Sequence, residues 1–399
     1  MPKLFVTDLS PRGKRVLVRA DFNVPIEDGE ITDDRRIRET LPTIRWLMEQ
    51  GARTILMSHR GRPKGKRVEE LTLRPIAEHL GQLLRKEVKF APDCIGKPAQ
   101  SALQGLGDGD VLLLENLRFH PGEEKNDPKF AQELASLGEL YVDDAFGAAH
   151  RAHASMVGVA ERMPQRAMGF LLKKELDYLG KALEDPKRPF VAIIGGAKVS
   201  GKIKVIENLL EKVDHLLIGG GMTYTIFKAM GREIGRSLLE EDAVPMARQI
   251  LDAARSRGSE RLLLPVDLIA ADRFDNDATT VVAAAERIPA NRECLDIGPQ
   301  TVEMFRRKVL SAKTVVWNGP LGVFEMPSFA KGTRAVAEAL AEATAAGATT
   351  IVGGGDTAAA IKEAGLDDKV SHVSTGGGAS LEFLEGGCFP GIEALTDKP

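Results

Sequence analysis

Arginine and histidine side chains recur just after short apolar runs in the first half of the chain. The loops that carry them are RADFNVP, SHRGRP, ENLRFHPGEE and DDAFGAAHRAH. Their basic residues include Arg19, Arg60, Arg62, Arg118 and Arg151, with His59, His120, His150 and His153 beside them. A guanidinium group binds a carboxylate or phosphate through two parallel hydrogen bonds. One arginine alone would be explained as a solvated surface residue, but several at successive strand ends predict a site for a small, strongly anionic ligand.

Two polar residues of the first loop, Asp21 and Asn23, could hydrogen-bond a hydroxyl group of such a ligand. Asp and Asn also favour turns, so the sequence alone supports either explanation equally. Arg36 and Arg38 follow on the next predicted helix and add to the basic residues of this half.

Glycine replaces arginine in the corresponding loops of the second half, which are GGAKVSGK, GGGM, WNGPLGVFE, GGGDTA and STGGGAS. Glycine lets the backbone approach a ligand and offers its N–H groups to phosphate oxygens, often at the N-terminus of a helix. The contrast between the two halves therefore predicts a nucleotide on the glycine loops and an acidic substrate on the arginines.

The segment Gly196–Ile203, GAKVSGKI, nearly matches the Walker A pattern G-x-x-x-x-G-K-[ST]. Ile203 stands where the pattern requires a hydroxyl group for the metal ion, so a metal ligand must come from elsewhere. Asp356 in GGGDTA is the natural candidate because it follows a glycine loop at a strand end. It could equally cap a helix that begins near Thr357, or do both.

Lys198 and Lys202 are four residues apart and would share one face if a helix has already begun there. An anion between them would relieve their repulsion, and the neighbouring glycines favour this over two solvated lysines. The GGGDTA segment also matches the dinucleotide pattern G-x-G-x-x-[GA], which would indicate a nicotinamide-dependent dehydrogenase. That pattern needs an acidic residue after the next strand, whereas HVST leads into STGGG, so the dehydrogenase is disfavoured.

Composition narrows the function classes further. The 399 residues contain 54 basic and 57 acidic side chains, a balance that argues against a general nucleic-acid binder. Three widely spaced cysteines fit a reducing compartment better than a disulfide framework. No signal-like or membrane-length apolar segment is present in the sequence. We therefore expect a cytoplasmic protein, which disfavours an exported two-lobed solute-binding protein.

The loops must be positioned by alternating strands and helices. The predicted strands are Arg15–Arg19, Thr54–Ser58, Val111–Leu114, Leu140–Val142, Phe190–Ile194, His215–Ile218, Arg261–Leu264, Thr314–Trp317, Thr349–Val352 and His372–Ser374. Predicted helices include Asp34–Gln50, Leu71–Lys86, Val199–Lys212, Ala243–Arg257, Thr301–Leu310 and Ala330–Ala346. This alternation predicts an α/β protein with two doubly wound, Rossmann-like parallel sheets. A helix within Leu171–Pro189 is the expected hinge between a domain at 1–175 and a domain at 190–387, with 176–189 as the linker.

The ordered set of loops resembles the phosphoglycerate kinase family over essentially the whole chain. The motifs that carry the resemblance are VRADFNVP, SHRGRP, ENLRFH, DAFGAAHR, GGAKVSGK, WNGPLGVFE, GGGDTA and STGGGAS, in the order expected of that family. The resemblance implies Mg²⁺-dependent phosphoryl transfer between 1,3-bisphosphoglycerate with ADP and 3-phosphoglycerate with ATP. It also implies a monomer whose C-terminal tail, 388–399, packs back on the first domain. The charge balance and the lack of a membrane-length apolar run predict neither a nucleic acid nor a membrane as partner.

The same resemblance assigns site residues in each half. Phosphoglycerate would lie on Asp21, Asn23, Arg36, His59, Arg60, Gly61, Arg62, Arg118 and Arg151. The nucleotide would lie on Lys202, Gly219, Gly220, Asn318, Pro320, Glu325, Gly354, Gly355, Asp356 and Thr357. Glu325 would accept the ribose hydroxyls and Asp356 would hold Mg²⁺. Catalysis would fall to Arg36, Lys198 and the backbone around Gly376 and Gly377, which would surround the transferring phosphoryl group.

The acceptor carboxylate is already ionised at neutral pH, so no general base is needed. The chemistry then requires alignment and neutralisation of charge. Because each half binds one substrate, we expect a hinge motion that closes the halves and excludes water before in-line transfer.

Overall fold

Parallel strands form the centre of each half of the chain. The computed structural model describes residues 2–256, 258 and 261–398. These residues separate into two units, one containing the chain up to Asp177 and from Cys388 onwards, the other running from Tyr178 to Gly387. Each unit contains one six-stranded sheet in which every pairing is parallel, so the predicted α/β fold class with two parallel sheets is confirmed.

Among its described residues, the first unit has eight strands and six helices before its C-terminal segment. The strands are β1 (Arg15–Ala20), β2 (Ile26–Glu27), β3 (Glu30–Ile31), β4 (Arg53–Met57), β5 (Val88–Ala91), β6 (Val111–Leu114), β7 (Leu140–Asp144) and β8 (Arg166–Met168). The helices are α1 (Arg35–Glu49), α2 (Arg74–Leu84), α3 (Gly96–Leu103), α4 (Pro121–Glu124), α5 (Pro128–Ala135) and α6 (Phe170–Glu175). The strand order is β5-β6-β4-β1-β7-β8, so the chain winds outward from β1 in both directions and the loops after the central strands meet at one edge.

Helix α1 illustrates why these segments fold as they do. Its buried residues Ile37, Leu41, Ile44 and Leu47 recur every three or four positions, which places them on one face of a helix. That face packs into a core shared with Val16 and other residues of the strands. The packing fixes the first turn of α1, which carries Arg36, next to the loop that follows β1.

The second unit contains nine strands and eight helices among its described residues. The strands are β9 (Phe190–Ile194), β10 (His215–Ile218), β11 (Leu262–Leu263), β12 (Asp267–Ala271), β13 (Thr280–Ala284), β14 (Glu293–Ile297), β15 (Thr314–Asn318), β16 (Thr349–Gly353) and β17 (His372–Val373). The helices are α7 (Lys181–Glu184), α8 (Ile203–Lys212), α9 (Met222–Ala229), α10 (Val244–Ser256), α11 (Pro299–Ser311), α12 (Lys331–Ala345), α13 (Gly355–Glu363) and α14 (Gly378–Leu384). The parallel sheet has the order β11-β10-β9-β15-β16-β17. A short helix, α15 (Pro390–Glu393), follows in the C-terminal segment of the first unit.

An antiparallel sheet of three strands, in the order β13-β12-β14, was not predicted. Strand β13 leaves four of its five residues exposed, with Ala283 alone buried, so its sequence shows neither alternation nor a continuous buried run. A register shift between Ile269 and Ala270 also interrupts the pairing of β12 with β14. The sequence pattern of parallel strands and helices therefore does not reveal this sheet.

Several predicted strand bounds agree with the structure, and two predicted helices differ most from it. The strands Val111–Leu114, Phe190–Ile194 and His215–Ile218 have the predicted bounds. The helix predicted from Val199 begins only at Ile203, after a glycine-containing loop. The single helix predicted within Leu171–Pro189 is three segments, α6, a π-helical turn at Leu176–Gly180, and α7.

Some predicted ranges reach residues outside the described part of the chain. These are Arg257, where the helix from Ala243 was expected to end, and the terminal residues 1 and 399 of the domain ranges. Among the helices that the structure describes, none is long and apolar enough to cross a membrane.

Candidate active site

The loop after β1 and the first turn of α1 bring a carboxylate, an amide and a guanidinium group together in the first unit. Arg36 Nη1 lies 3.3 Å from Asp21 Oδ2 and donates a hydrogen bond of 3.0 Å to the backbone oxygen of Asn23. The Asn23 side chain accepts a hydrogen bond of 2.9 Å from the N–H of Gly61, which lies after β4. The Asn23 side chain thus joins two neighbouring loops, and the Asp21 carboxylate lies next to Arg36.

His59 is a buried, neutral imidazole among cations. Arg19 Nη2 lies 3.1 Å from His59 Nδ1, and a guanidinium group can only donate, so Nδ1 accepts and Nε2 carries the hydrogen. Burial is the largest cause that lowers the pKa of His59 well below its usual value, and Arg19 and Arg118 lower it further. His59 therefore offers a neutral N–H donor without adding charge to the site.

The three predicted residues that follow His59 in the loop SHRGRP have different surroundings. Gly61 has a φ of 63°, and an added Cβ would lie 2.8 Å from Leu71 Cδ2, so this position requires glycine. The guanidinium of Arg60 is turned to the backbone oxygen of Glu70 and is thereby engaged within the chain. Arg62 is exposed at the surface of this loop. The loop contributes Gly61 and Arg62 to the region of the site, while Arg60 supports the loop itself.

Two further arginines complete the basic cluster. Arg118 Nη1 donates a hydrogen bond of 2.8 Å to the backbone oxygen of Gly61, and Arg118 Nε lies 3.2 Å from Glu124. Burial lowers the pKa of Arg118, and the nearby charge of Arg151 lowers it as well. Arg151 also lowers the pKa of His59, so its charge acts on the same site. The structure thus brings Arg36, Arg118 and Arg151 around one imidazole.

Arg19, one of the arginines predicted for the anion site, is fully buried beneath these residues in a chain of hydrogen bonds with Ser155 and Glu123, which have no predicted role. Arg19 Nε donates to Ser155 Oγ at 2.8 Å, and Ser155 Oγ donates in turn to Glu123 Oε1 at 2.6 Å. The N–H of Ser155 also donates to Glu123, and burial raises the pKa of that carboxyl. Glu123 lies in the predicted loop ENLRFHPGEE, but its sequence position shows nothing of its contact with Ser155, 32 residues away.

Three glycine loops of the second unit are hydrogen-bonded to one another. The N–H of Gly196 donates to Pro320 O at 2.9 Å, and the N–H of Gly220 donates to Leu321 O at 3.1 Å. At Gly220, whose φ is 71°, an added Cβ would lie 2.6 Å from the nitrogen of Gly196. Glycine is needed here because one loop packs directly on another. Gly219 lies behind Leu321, so it supports the wall of the site.

A cavity of about 510 Å³ opens beside these loops. Four predicted nucleotide residues, Gly220, Pro320, Glu325 and Asp356, are among its lining residues. Its other lining residues are Gly196, Ala197, Gly221, Tyr224, Arg236, Leu238, Phe274, Glu293, Cys294, Leu295, Gly322 and Val323. Backbone, apolar and acidic groups therefore border one space large enough for a small organic ligand.

Lys202 reaches toward the same loops. Its Nζ donates to Asn318 Oδ1 at 2.8 Å and to Asn318 O at 3.2 Å. Burial lowers the pKa of Lys202 to about 8, although the Asp356 carboxylate acts to raise it. Because α8 begins at Ile203, Lys198 and Lys202 lie before the helix, and the argument from a shared helix face does not apply. Lys198 is exposed on the loop.

In the GGGDTA segment, Asp356 is exposed and Thr357 is buried. Helix α13 begins at Gly355, and its N-cap is Gly354, so the Asp356 carboxylate is exposed in the first turn and is not consumed by capping. Thr357 is buried, and its Oγ1 accepts a hydrogen bond of 2.6 Å from the N–H of Gly319. Thr357 therefore anchors the neighbouring loop from below.

The STGGGAS loop ends at α14, whose N-cap is Gly377. The N–H of Gly376 donates to Ser374 Oγ at 3.1 Å, so this group is engaged within its own loop. Of the other predicted residues, Asn318 keeps its Nδ2 buried beside Gly354 without a hydrogen-bond acceptor. That unpaired donor faces the glycine loop at the carboxyl ends of β15 and β16.

Comparison with known proteins identifies the family. A family model described as phosphoglycerate kinase matches residues 6–387. The chain belongs to the phosphoglycerate kinase family. The phosphoglycerate kinase of Chloroherpeton thalassium is 58% identical over 397 residues, and that of Koribacter versatilis is 57% identical over 406 residues. Both alignments cover 100% of this chain and of the relative.

Solved phosphoglycerate kinase structures have the same fold. The enzyme from Coxiella burnetii superposes with a TM-score of 0.89 at 44% identity and covers 99% of both chains. The enzyme from Pyrococcus horikoshii superposes with a TM-score of 0.85 at 33% identity and covers 98% of both chains. The resemblance predicted from the loop motifs is confirmed.

Membership in the phosphoglycerate kinase family establishes the reaction class. The chain is a phosphotransferase with a carboxyl group as acceptor and carries out a step of glycolysis. Its substrates are phosphoglycerate and ATP or ADP, and a metal ion accompanies the nucleotide. The two alternative functions, a dehydrogenase and a solute-binding protein, are not supported.

Proposed function

We propose that the first unit binds the phosphoglycerate and the second unit binds the nucleotide, with the residues predicted from the sequence. The observation that carries this assignment is the contrast between the two sites. One unit gathers buried and half-buried guanidinium groups around the neutral His59. The other encloses a cavity of about 510 Å³ with glycine backbone, Glu325 and Asp356. A small trianion suits the first chemistry, and a nucleotide with apolar base and charged phosphates suits the second.

In the phosphoglycerate site, the arginines would neutralise the ligand and the uncharged donors would orient it. Arg62, Arg118 and Arg151 would bind the phosphate and carboxylate oxygens in bidentate fashion. His59 Nε2–H, Asp21 and Asn23 would hydrogen-bond the hydroxyl group and adjacent oxygens. Arg60 and Gly61 would act through the loop that they shape, because the Arg60 guanidinium is already turned to Glu70 O and Gly61 is bonded to Asn23. Arg36 contributes the charge that lies closest to Asp21.

In the nucleotide site, the Glu325 carboxylate would accept the ribose hydroxyls. Gly219, Gly220 and Pro320 would form the wall on which the base rests. Lys202, held by Asn318, would direct its ammonium group to the phosphates, and Gly354 and Gly355 would let the backbone approach them. Thr357 would keep the neighbouring loop in position through its bond to Gly319.

Asp356 would hold Mg²⁺, the metal that we propose for this site. Its carboxylate is exposed, lines the cavity and is not used as a helix cap, so it fits a cation that prefers oxygen ligands. When bound, Mg²⁺ would neutralise the nucleotide phosphates and fix their orientation.

The chain's own residues would then complete the catalysis. The nucleophile is a carboxylate that needs no general base. Arg36, Lys198 and the backbone N–H groups around Gly376 and Gly377 would stabilise the negative charge on the transferring group. For Gly376 this requires its N–H to leave Ser374 Oγ when the substrate arrives. Loss of one such donor typically costs about 3 kcal/mol of barrier, or about a hundredfold in rate.

Because each substrate has its own unit, we propose that a hinge motion brings the reacting groups together for in-line transfer. We also propose that the protein acts as a monomer in the cytoplasm, which the family resemblance and its cysteine usage support. Small-angle scattering should give a smaller radius of gyration with both ligands than with either alone. An unchanged radius would contradict the hinge.

Reciprocal binding measurements test the assignment of the two sites. Glu325→Gln should weaken ADP binding by about tenfold, since it removes a charged acceptor, and leave 3-phosphoglycerate binding unchanged. Arg118→Lys should do the reverse, and turnover of ATP with 3-phosphoglycerate should fall in both. Glu303→Gln, at an exposed acid of α11, is the control and should change neither affinity. Equal losses of both ligands in either site variant would refute the division.

A further inference from the structure

Three side chains that commonly bind metals meet at the carboxyl ends of β5 and β6, outside both proposed substrate sites. Asp93 and Cys94 follow β5, and His120 follows the 3₁₀ turn Leu117–Phe119 after β6. One carboxylate oxygen, the Cys94 Sγ and one ring nitrogen of His120 all lie within 4.8 Å of one another. Parallel neighbours in the sheet bring these two loops together, although the residues are 26 or 27 positions apart.

The geometry points to a binding site for Zn²⁺ on Asp93, Cys94 and His120. Sulfur, imidazole nitrogen and carboxylate oxygen are the ligand types of zinc, which favours four ligands in a tetrahedron. Zinc–ligand bonds of about 2.0–2.3 Å place tetrahedral ligands roughly 3.3–3.8 Å apart. Because these atoms lie within 4.8 Å of one another, each pair reaches that spacing with a change of at most about 1.5 Å.

Neighbouring contacts already orient the ligands. His120 Nε2 lies 2.6 Å from Asp93 Oδ1, and the same oxygen accepts the N–H of Cys94 at 2.7 Å. The His120 ring also stacks on Phe130, with 5.4 Å between ring centroids, which fixes the plane of the imidazole. Ligands held in this way lose little conformational entropy when an ion binds.

Exposure of the cluster provides an entry path and a fourth ligand. Cys94 is fully buried, whereas the side chains of His120 and Asp93 keep 28% and 37% of their surface exposed. A water molecule can thus occupy the open position, as it does in zinc sites with three protein ligands. On binding, the Cys94 thiol releases its proton to solvent, and the ring nitrogen that binds zinc gives up any hydrogen it carries to the other nitrogen or to solvent.

The His120–Asp93 hydrogen bond taken alone would be an ordinary structural pair. The buried thiol beside it changes the chemistry, because it supplies a soft ligand that selects Zn²⁺ over Mg²⁺. The site would join the loop after β5 to the segment that follows Arg118. We therefore expect Zn²⁺ to stabilise the fold of this unit.

Cobalt replacement tests the site directly on the whole, metal-free chain without nucleotide. Co²⁺ should bind at one equivalent and give the intense charge-transfer absorption of a cobalt–thiolate bond. Cys94→Ser should abolish that band, whereas a Cys294→Ser/Cys388→Ser double variant, which keeps Cys94 as its only cysteine, should retain it. No thiolate band in the unmodified chain, or a band that persists in Cys94→Ser, would overturn the proposal.

Zinc competition and heat stability supply a second readout. Zn²⁺ should displace Co²⁺ and raise the Tm of the unmodified chain and of Cys388→Ser, a control at an exposed cysteine. His120→Gln and Asp93→Asn should weaken zinc by about tenfold or more each, as expected for loss of one ligand. Zinc affinity and a Tm shift unchanged in both variants would show that the metal binds elsewhere.

Discussion

Nucleotide affinity should fall as pH rises above about 8, and Lys202 is the reason. Burial lowers the pKa of this lysine from 10.5 to about 8 in the free protein. Its nearest acceptors belong to Asn318, which is uncharged, so only Asp356 acts to restore the charge. A bound nucleotide adds phosphate charge beside the ammonium group and thus raises the pKa again.

The direction and size of the change in ADP affinity follow from the pKa of Lys202 in the free protein and in the complex. Protons are taken up on binding wherever the free lysine is neutral and the bound lysine is charged, so affinity must decrease with rising pH in that window. With a pKa of about 8, roughly nine tenths of the free lysine is charged at pH 7 and roughly one tenth at pH 9. We therefore expect ADP affinity to fall about tenfold between pH 7 and pH 9, with uptake of about half a proton at pH 8.

Titration calorimetry in two buffers of different ionisation enthalpy measures both quantities. Lys202→Met should bind more weakly at pH 7 and show no proton uptake at pH 8, so its affinity should be flat across the window. Lys204→Met, at an exposed lysine two residues further on, is the matched control and should behave as the unmodified chain. Uptake that survives in Lys202→Met would refute the reasoning, because another group would then be titrating.

Four other substitutions test particular contacts. Arg36→Ala should lower kcat by about a hundredfold or more while ADP affinity stays within a factor of two, as steady-state kinetics and calorimetry would measure; a large loss of ADP binding would contradict its assignment. Asp356→Asn should weaken Mg²⁺–nucleotide binding much more than 3-phosphoglycerate binding, and equal losses would count against the metal role. Thr357→Val should reduce the free energy of unfolding in urea by about 1–3 kcal/mol, because it leaves the buried N–H of Gly319 without its acceptor. Burial raises the pKa of Asp144 from 3.8 to about 7, so the native state holds the extra proton and loses stability as pH rises from about 4 to 7. Asp144→Asn should flatten that part of the stability profile, and an unchanged slope would exclude Asp144 as its source.

The parallel sheets could be predicted because their strands are short, apolar and buried on both faces. Phe190–Ile194 is such a run, and all five of its residues are buried. Strand β13 could not be predicted, because four of the five residues in TVVAA are exposed and show no periodic pattern. Its conformation depends on its pairing with β12. The start of α8 was misplaced for a similar reason: the apolar residues from Val199 continue the helical pattern, but the loop before Ile203 is held by Glu240, whose carboxylate accepts the N–H groups of Val199 and Ser200.

The residue types at strand ends could be predicted. Which of these side chains contact the chain itself could not. The sequence groups Arg60 with Arg62 and Arg118, yet only the fold turns the Arg60 guanidinium onto a backbone oxygen. Thr357 is predicted to contact the nucleotide, and the fold adds a second role, because its hydroxyl accepts a hydrogen bond from the N–H of Gly319. The partners in these two hydrogen bonds are 10 and 38 residues apart along the chain. Local sequence patterns do not encode contacts at such separations.

Both sites share one electrostatic principle, which links the arginines of one unit to the lysine of the other. Burial lowers the pKa of Arg118 in the first unit and of Lys202 in the second, so each cation is less favourable in the free protein than in water. An anionic ligand reverses that penalty, and the gain appears as binding free energy. His59 adds to this effect because it stays neutral among the arginines and donates without further repulsion. Burial of Lys202 thus has two consequences: it strengthens the attraction of the site for phosphate, and it lowers the lysine pKa so that nucleotide binding depends on pH.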